Sequence, residues 1–285
     1  MSDSSANLPP RLGPPPLPDP AIPEPAAPAR LKLALLALGI LSLYVIVPGV
    51  LGALRSQGEE AVLPGTVRGV LMLCASELTV FAVVLAAALR LGRLQARDLW
   101  LQWRGLWTLP RALGWSVALR LLVGVSIASG LALWQGITGQ PVVEAGELRP
   151  RVESMVNVAA LQDPLYLALM LTLVSFVVAG LREELWRAGM IALLGRIWPG
   201  WFGGSRGPWL ALFPVALLFG LGHTPQGPIG VAATTLLGLG LGAIMLRHRS
   251  LWDAVLAHGF FNAATFAALP LLARHLPGLL QEAGG

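Results

Sequence analysis

The chain has 285 residues, of which 55% are hydrophobic and only 12% are charged. A soluble domain is about 25% charged, so this composition excludes an ordinary water-soluble protein and indicates a membrane protein. The formal net charge is +5, but the arginines lie at the ends of apolar segments rather than on one patch. This arrangement argues against a nucleic-acid partner and is typical of topology signals.

The chain opens with a proline-rich stretch. Residues 1–30 contain ten prolines and no aromatic residue, which predicts a disordered, extended tail. Residues 31–160 are expected to form N-terminal transmembrane helices and an amphipathic loop, with a short surface helix over residues 152–161. Residues 161–275 are expected to form a second group of transmembrane helices, and this group contains the main polar clusters of the chain.

Seven apolar segments are candidate membrane spans. A helix rises 1.5 Å per residue and crosses a hydrocarbon core of ~30 Å in about twenty residues. The fifth segment is shorter than this. Backbone groups in lipid must be satisfied within their own segment, so each span is predicted to be helical. The predicted fold class is therefore all-α, a polytopic transmembrane bundle of about seven to eight helices. The segments are 31–54, 69–91, 112–136, 165–194, 208–223, 229–246 and 251–272.

Basic residues crowd alternate loops. Arg30 and Lys32 precede the first span, and five arginines separate the second span from the third: Arg90, Arg93, Arg97, Arg104 and Arg111. Further pairs follow the fourth and the sixth spans: Arg196 with Arg206, and Arg247 with Arg249. Loops rich in Arg and Lys stay in the cytoplasm, so the N-terminus is predicted to be cytoplasmic and the C-terminus external.

Two charged residues lie inside spans but outside the main polar clusters. Glu77 is in the second span and Arg120 is in the third. Adjacent antiparallel helices can bring two such residues together, and pairing stabilises charges in lipid. A structural ion pair between them is the favoured interpretation, and a part in a functional site is the alternative.

The fourth apolar segment contains Glu183, Glu184 and Arg187. Neighbouring residues on a helix point about 100° apart, so one glutamate is expected to face a cavity while the other pairs with Arg187. For these carboxylates to lie at membrane depth, the helix must continue past Glu183 toward Leu194. The alternative is that the charges only mark the cytoplasmic end of the span.

Two further motifs each place a histidine one helical turn from a second side chain. Phe219 and His223 share one helix face, and so do His258 and Asn262. Asn262 can fix the tautomer of His258 or hold a water molecule. The alternatives are a structural histidine at a helix end and a hydrogen bond between helices.

Together the three motifs are typical of a hydrolytic site. A carboxylate and two imidazoles can deprotonate a water molecule, orient it and stabilise an oxyanion. Glu183, His223 and His258 also make a zinc set with one position left for water. The cofactor is therefore either none or a divalent metal such as zinc, and the sequence leaves both open. The His-Glu-x-x-His helix of common metalloproteases is absent from the sequence.

The motifs resemble those of the CPBP family, the CAAX-processing and bacteriocin-processing intramembrane proteases. That family has a Glu-Glu pair followed by Arg, then Phe-x-x-x-His, then His-x-x-x-Asn or Asp, in this order on membrane helices. The matching residues lie within roughly residues 165–270 and are Glu183 with Glu184, Phe219 with His223, and His258 with Asn262. The family places three residues before its Arg, whereas this chain has two, so aligning the glutamates puts Ala188 at the arginine position and leaves Arg187 one residue early.

The resemblance implies an intramembrane endopeptidase, either glutamate-type or metalloprotease-like. It implies that Glu183 and His223 activate a water molecule. It also implies that His258 and Asn262 hold the oxyanion. Glu184 is counted with these catalytic residues and is expected to pair with Arg187, and Arg187 and Phe219 are the supporting residues. Eukaryotic members act on prenylated C-termini, while bacterial members include bacteriocin maturation and immunity proteins.

The Arg-biased composition and compact size favour a prokaryotic member in the cytoplasmic membrane, and with it a substrate without a prenyl group. The expected partners are membrane lipid and a peptide or protein substrate near the bilayer, and no nucleic acid. Two other classes of protein stay open. One is a non-catalytic immunity or scaffold protein with the same fold, although the complete His-His-Asn set argues against a decayed site. The other is a small-solute transporter, which predicts repeat symmetry that the sequence does not show.

Overall fold

The computed structural model describes residues 28–55, 61–139 and 155–275, and this part of the chain is helical and contains no strand. A π-helical segment, Met170–Arg182, joins α4 to α5, and 3-10 turns occupy Ala96–Leu99, Ala159–Gln162 and Thr224–Gln226. The predicted all-α class is confirmed. The α-helices are α1 (Pro28–Arg55), α2 (Val67–Gly92), α3 (Thr108–Thr138), α4 (Pro164–Leu169), α5 (Glu183–Ile197), α6 (Pro199–Phe202), α7 (Gly207–Leu221), α8 (Gly227–His248) and α9 (Leu251–His275).

Within the described residues, six helical stretches are long and apolar enough to cross a membrane, and α7 is a shorter apolar helix. These seven correspond in order to the seven predicted segments. The first described residue, Pro28, already belongs to α1. The last three residues of the predicted tail are therefore helical, and the rest of it lies outside the described residues. The predicted surface helix, residues 152–161, is described only from Met155, and its end overlaps a 3-10 turn, Ala159–Gln162.

The segments α4, π and α5 form one continuous helix of 34 residues, Pro164–Ile197, called the composite helix below. Its start is capped by Asp163, whose carboxylate accepts from the backbone N–H groups of Leu165 (2.7 Å) and Tyr166 (3.1 Å). The helix continues 14 residues beyond Glu183, as a site at membrane depth requires. The helix itself therefore does not end at these charges.

The helix α5 lies at the centre of the bundle. Most of its residues are buried, and the indole N–H of Trp186 donates to the backbone carbonyl of Leu41 in α1 (2.9 Å). Beside it, α7 approaches α8 closely at Gly238, where an added Cβ would lie 3.0 Å from the Phe219 ring. The buried residues of α5 are Glu184, Trp186, Arg187, Ala188, Gly189, Met190, Ile191, Leu193, Leu194 and Ile197.

The predicted ion pair between Glu77 and Arg120 is wrong. The helix α3 packs against α9 and α8, whereas α2 packs against α1, so these consecutive helices do not present their charges to each other. Arg120 donates to the backbone carbonyl of Phe261 (2.5 Å) and lies over its ring, with 4.3 Å between the guanidinium carbon and the ring centroid. Glu77 pairs with Arg182 of the composite helix instead.

Candidate functional site

The two glutamates of the composite helix face different sides of it. Because adjacent helical residues diverge by about 100°, Glu183 shares its side with Trp186, while Glu184 shares its side with Arg187. Glu183 and Trp186 line a cavity against α1 and α2. Glu184 and Arg187 are fully buried and point into the bundle. One glutamate therefore faces a cavity and the other pairs internally, as the sequence predicts.

The buried side is a chain of charged groups that ends on an imidazole. One oxygen of Glu184, Oε2, forms an ion pair with the guanidinium of Arg187. Its other oxygen, Oε1, lies 3.0 Å from Nδ1 of His258 on α9. A carboxylate only accepts, so Nδ1 of His258 carries a proton and donates it to Glu184. Glu184 thus holds the ring of His258 in a fixed orientation between α5 and α9.

The open side of the site begins at the other nitrogen of His258. Its Nε2 lies 3.8 Å from Oε2 of Glu183, which is too far for a direct hydrogen bond. The second oxygen of Glu183, Oε1, accepts from the guanidinium of Arg182 at 2.8 Å. Oε2 of Glu183 is therefore left without a direct hydrogen bond from His258, while Oε1 is anchored.

Phe219 lies at the centre of the site and touches all three motifs. Its ring centroid lies 4.6 Å from that of His223, 6.3 Å from that of His258 and 6.2 Å from that of Trp186. The guanidinium carbon of Arg187 stacks on the same ring at 4.6 Å, within the range of a cation–π interaction. This ring provides a contact for Arg187, whose Nε and Nη2 atoms have no hydrogen-bond acceptor in the described part of the chain.

The second imidazole, His223, follows the end of α7. Pro225 comes two residues later, and a proline disfavours helical conformation in the residue before it, so the helix stops here. Nδ1 of His223 lies 2.9 Å from the backbone carbonyl of Phe219. Because a carbonyl only accepts, Nδ1 carries the proton and Nε2 keeps a free lone pair. His223 is thus arranged as a proton acceptor.

Glu183 and His223 line the same cavity, whose volume is about 560 Å³. Pockets that bind small molecules have volumes of roughly 300–1,000 Å³. Its walls are mostly apolar and come chiefly from α1, α2, α5 and the end of α7. The described residues that line it include Leu43, Tyr44, Val47, Glu77, Val80, Val84, Arg182, Glu183, Trp186, Phe219 and His223.

Arg182 and Tyr44 line this cavity, although no sequence motif assigned them to the site. Arg182 donates to Glu77 of α2 at 2.5 Å as well as to Glu183, and it lies 3.4 Å from the hydroxyl of Tyr44. Arg182 therefore links α1, α2 and the composite helix at the point where Glu183 enters the cavity. The sequence signal was the charge of Glu77 in mid-span, which needs a partner in lipid.

Four predicted site residues do not line the cavity: Glu184, Arg187, His258 and Asn262. Ion pairs and hydrogen bonds join the first three to each other and to Glu183, whereas Asn262, one turn beyond His258 on α9, has no such contact with them in the described residues. The metal candidates Glu183, His223 and His258 are also not gathered as a ligand cluster. No group of three or more His, Cys, Asp or Glu side chains in the described ranges is arranged to hold a metal ion.

The fold and the site together define a class, a polytopic helical membrane protein with carboxylates and imidazoles assembled between its helices. Residues 164–264 match a protein-family model described as type II CAAX prenyl endopeptidase Rce1-like. The matched range begins with the composite helix and contains all three motifs. The match confirms the CAAX-protease family predicted for this segment and supports a CAAX-type intramembrane endopeptidase. No curated protein and no solved structure is significantly similar to the chain.

Proposed function

We propose that the protein is an intramembrane endopeptidase in which Glu183 and His223 activate a water molecule in the cavity. The observation that carries this proposal is their common position on the cavity wall, one with a free carboxylate oxygen and the other with a free imidazole nitrogen. A carboxylate and a neutral imidazole are both competent general bases. The match to a protease family supports the same reaction class.

In this proposal the two sides of α5 have different tasks. Glu183 takes a proton from the water molecule, and His223 accepts the second hydrogen bond that orients it. The water oxygen then attacks the carbonyl carbon of the scissile peptide bond, and the proton passes to the leaving amine. Arg182 holds Oε1 of Glu183, so that Oε2 keeps one direction relative to the substrate.

His258 is the proposed donor to the oxyanion. To donate from Nε2 while Nδ1–H is bound to Glu184, the neutral ring must take up a second proton as the oxyanion forms, and this is the proton that Glu183 removed from the water molecule; the ring is positively charged only at that stage. The carboxylate of Glu184 lies against that charge, and Glu183 lies 3.8 Å from Nε2. A preorganised donor of this kind in a water-poor site lowers the barrier to peptide-bond attack.

The test is hydrolysis by the purified protein in phosphatidylcholine proteoliposomes. A mixed peptide library is incubated in heavy-oxygen water, and mass spectrometry detects new C-termini that have incorporated the label. We expect label in the wild-type reaction. We expect the substitution Glu183→Gln to lower kcat/KM about 10²- to 10⁴-fold, which is the usual contribution of a general base. His223→Ala and His258→Ala are expected to lose activity as well.

Folding of each variant is checked by far-ultraviolet circular dichroism and by gel filtration in detergent. Full activity of Glu183→Gln would exclude the proposed base. A folded wild-type protein that cleaves no peptide, prenylated or unmodified, would favour the non-catalytic scaffold. The proposal also places the protein in a prokaryotic cytoplasmic membrane with its N-terminus inside, which a compartment-sensitive reporter fused to that end would check.

A further inference from the structure

The charges that line the cavity do not balance. Among the described residues of its wall, Glu77, Arg182 and Glu183 are the fully charged ones, beside the titratable His223 and Tyr44. Both carboxylates bind the same guanidinium, Glu77 at 2.5 Å and Glu183 at 2.8 Å. Two negative charges and one positive charge leave the group with one negative charge.

The surplus charge is most accessible at Glu77. Its side chain is 37% exposed, against 16% for Glu183. One oxygen of Glu77 is bound to Arg182, and within the described part of the chain its other oxygen makes no hydrogen bond. Glu183 is more enclosed, because its second oxygen lies near His258. A cation entering the cavity therefore meets Glu77 as its most open acceptor.

The surroundings make an unbalanced carboxylate costly. Leu43 and Val47 of α1 and Val80 and Val84 of α2 line the same cavity and provide no hydrogen-bond donor from their side chains. In such an apolar setting a charge is retained only with a partner. Arg182 is already shared with Glu183, so Glu77 is only half neutralised. A positively charged group on the ligand would complete the pairing.

We propose that this cavity selects apolar peptide segments that carry a lysine or arginine side chain, and that Glu77 is the specificity-determining residue. The inference rests on the proposed function, since it concerns the substrate of the same site. Glu77 and Glu183 share one guanidinium, so the basic side chain binds close to the water that Glu183 activates. An extended chain advances about 3.3–3.6 Å per residue, which places the basic residue within about two positions of the scissile bond.

The experiment compares peptides that differ in charge alone. A short peptide of leucine and alanine carries, at one of several successive positions, lysine, Nε-acetyl-lysine or glutamate. Dissociation constants and kcat/KM are measured with the protein in phosphatidylcholine nanodiscs, because a zwitterionic lipid does not attract the lysine peptide. At the best position the wild-type protein is expected to bind lysine about tenfold more tightly than acetyl-lysine. The substitution Glu77→Gln is expected to bring this ratio close to one.

The matched control is Asp98→Asn. Asp98 is ion-paired with Arg196 at 2.7 Å, and it is not among the residues that line the cavity. This variant also loses an acid–arginine pair, yet it should keep the tenfold preference for lysine. The ratio between two peptides is internal to each variant, so a general weakening of Glu183 or of folding cancels out.

Each outcome has one meaning. Equal binding of lysine and acetyl-lysine by the wild-type protein, a measurement that needs no variant, overturns the inference. A lysine preference that survives Glu77→Gln also overturns it. If lysine is preferred through Glu77 but no peptide is hydrolysed, the cation site stands and the proposed protease function fails. If peptides are hydrolysed by Glu183 without regard to charge, the function stands and the inference fails.

Discussion

The two sides of α5 carry the same pair of residue types in opposite environments. On the buried side, Glu184 and Arg187 are fully enclosed and hold His258. On the cavity side, Glu183 and Arg182 retain 16% and 17% side-chain exposure beside a cavity of about 560 Å³. One turn of the helix therefore has two tasks, one on each side. The buried side fixes geometry, and the cavity side keeps a carboxylate accessible to water and substrate.

The largest effect is expected when the buried cation, Arg187, is removed. The substitution Arg187→Met leaves Glu184 enclosed without its ion-pair partner, and loss of one member of a buried pair costs about 3–5 kcal/mol. We expect the free energy of unfolding to fall by about this amount, with loss of activity as His258 loses its fixed partner. The measurement is unfolding in mixed detergent micelles with increasing dodecyl sulfate, followed by circular dichroism.

The double substitution Glu184→Leu with Arg187→Met is the control for this prediction. It replaces the whole pair with apolar side chains, and such replacements are often neutral for stability. We expect most of the lost stability to return while activity stays low, because His258 has no carboxylate to orient it. Unchanged stability in Arg187→Met alone would show that the pair is not enclosed in the way its burial indicates.

A smaller effect is expected on the cavity side. The substitution Arg182→Met releases Oε1 of Glu183 and leaves two carboxylates near each other without a shared cation. Displacement of a catalytic group by about 1 Å costs up to about 10²-fold in rate, so we expect kcat to fall about 10- to 100-fold. KM for an uncharged substrate should change little, because the effect falls on the base rather than on apolar binding contacts.

The substitution Arg182→Lys tests whether Glu183 needs the charge of Arg182 or the geometry of its guanidinium. A single ammonium cannot present the rigid fork with which one guanidinium binds two carboxylates, so only partial rescue of kcat is expected. Rescue to the wild-type rate would mean that charge alone, and not the direction of Oε1, is what Glu183 needs. Loss of stability as large as in Arg187→Met would remove the distinction between the two sides of α5.

Much of this arrangement follows from local rules. The composite helix and the faces of Glu183 and Glu184 follow from apolar length and from the 100° step between neighbours. The pairing of Arg187 with Glu184 follows from their i, i+3 spacing. The order of three motifs was enough to indicate the family. These features depend on residues that are close in sequence, so their spacing is visible without tertiary information.

The parts that the sequence predicted wrongly depend on which helices become neighbours. Pairing Glu77 with Arg120 assumed that consecutive spans pack together, whereas α2 packs on α1 and α3 packs on α9. Arg182 was not assigned to the site from the sequence, although its side chain reaches Glu77, which is distant in sequence. Hydropathy fixes the length of a span but not its partner, because every lipid-facing surface is apolar in the same way.

The smallest effect is expected at Asn262, where the sequence motif and the described cavity wall disagree. The motif predicts a hydrogen bond to the oxyanion, but Asn262 does not line the cavity and, unlike His258, has no hydrogen bond or ion pair to Glu183 or Glu184 in the described residues. If the amide is outside the reacting region, the substitution Asn262→Ala lowers kcat less than tenfold. Removal of a true oxyanion donor costs about 10²–10³-fold in kcat. Steady-state kinetics therefore separates the two cases, and a loss in the larger range would mean that substrate binding brings α9 and the amide of Asn262 toward the cavity.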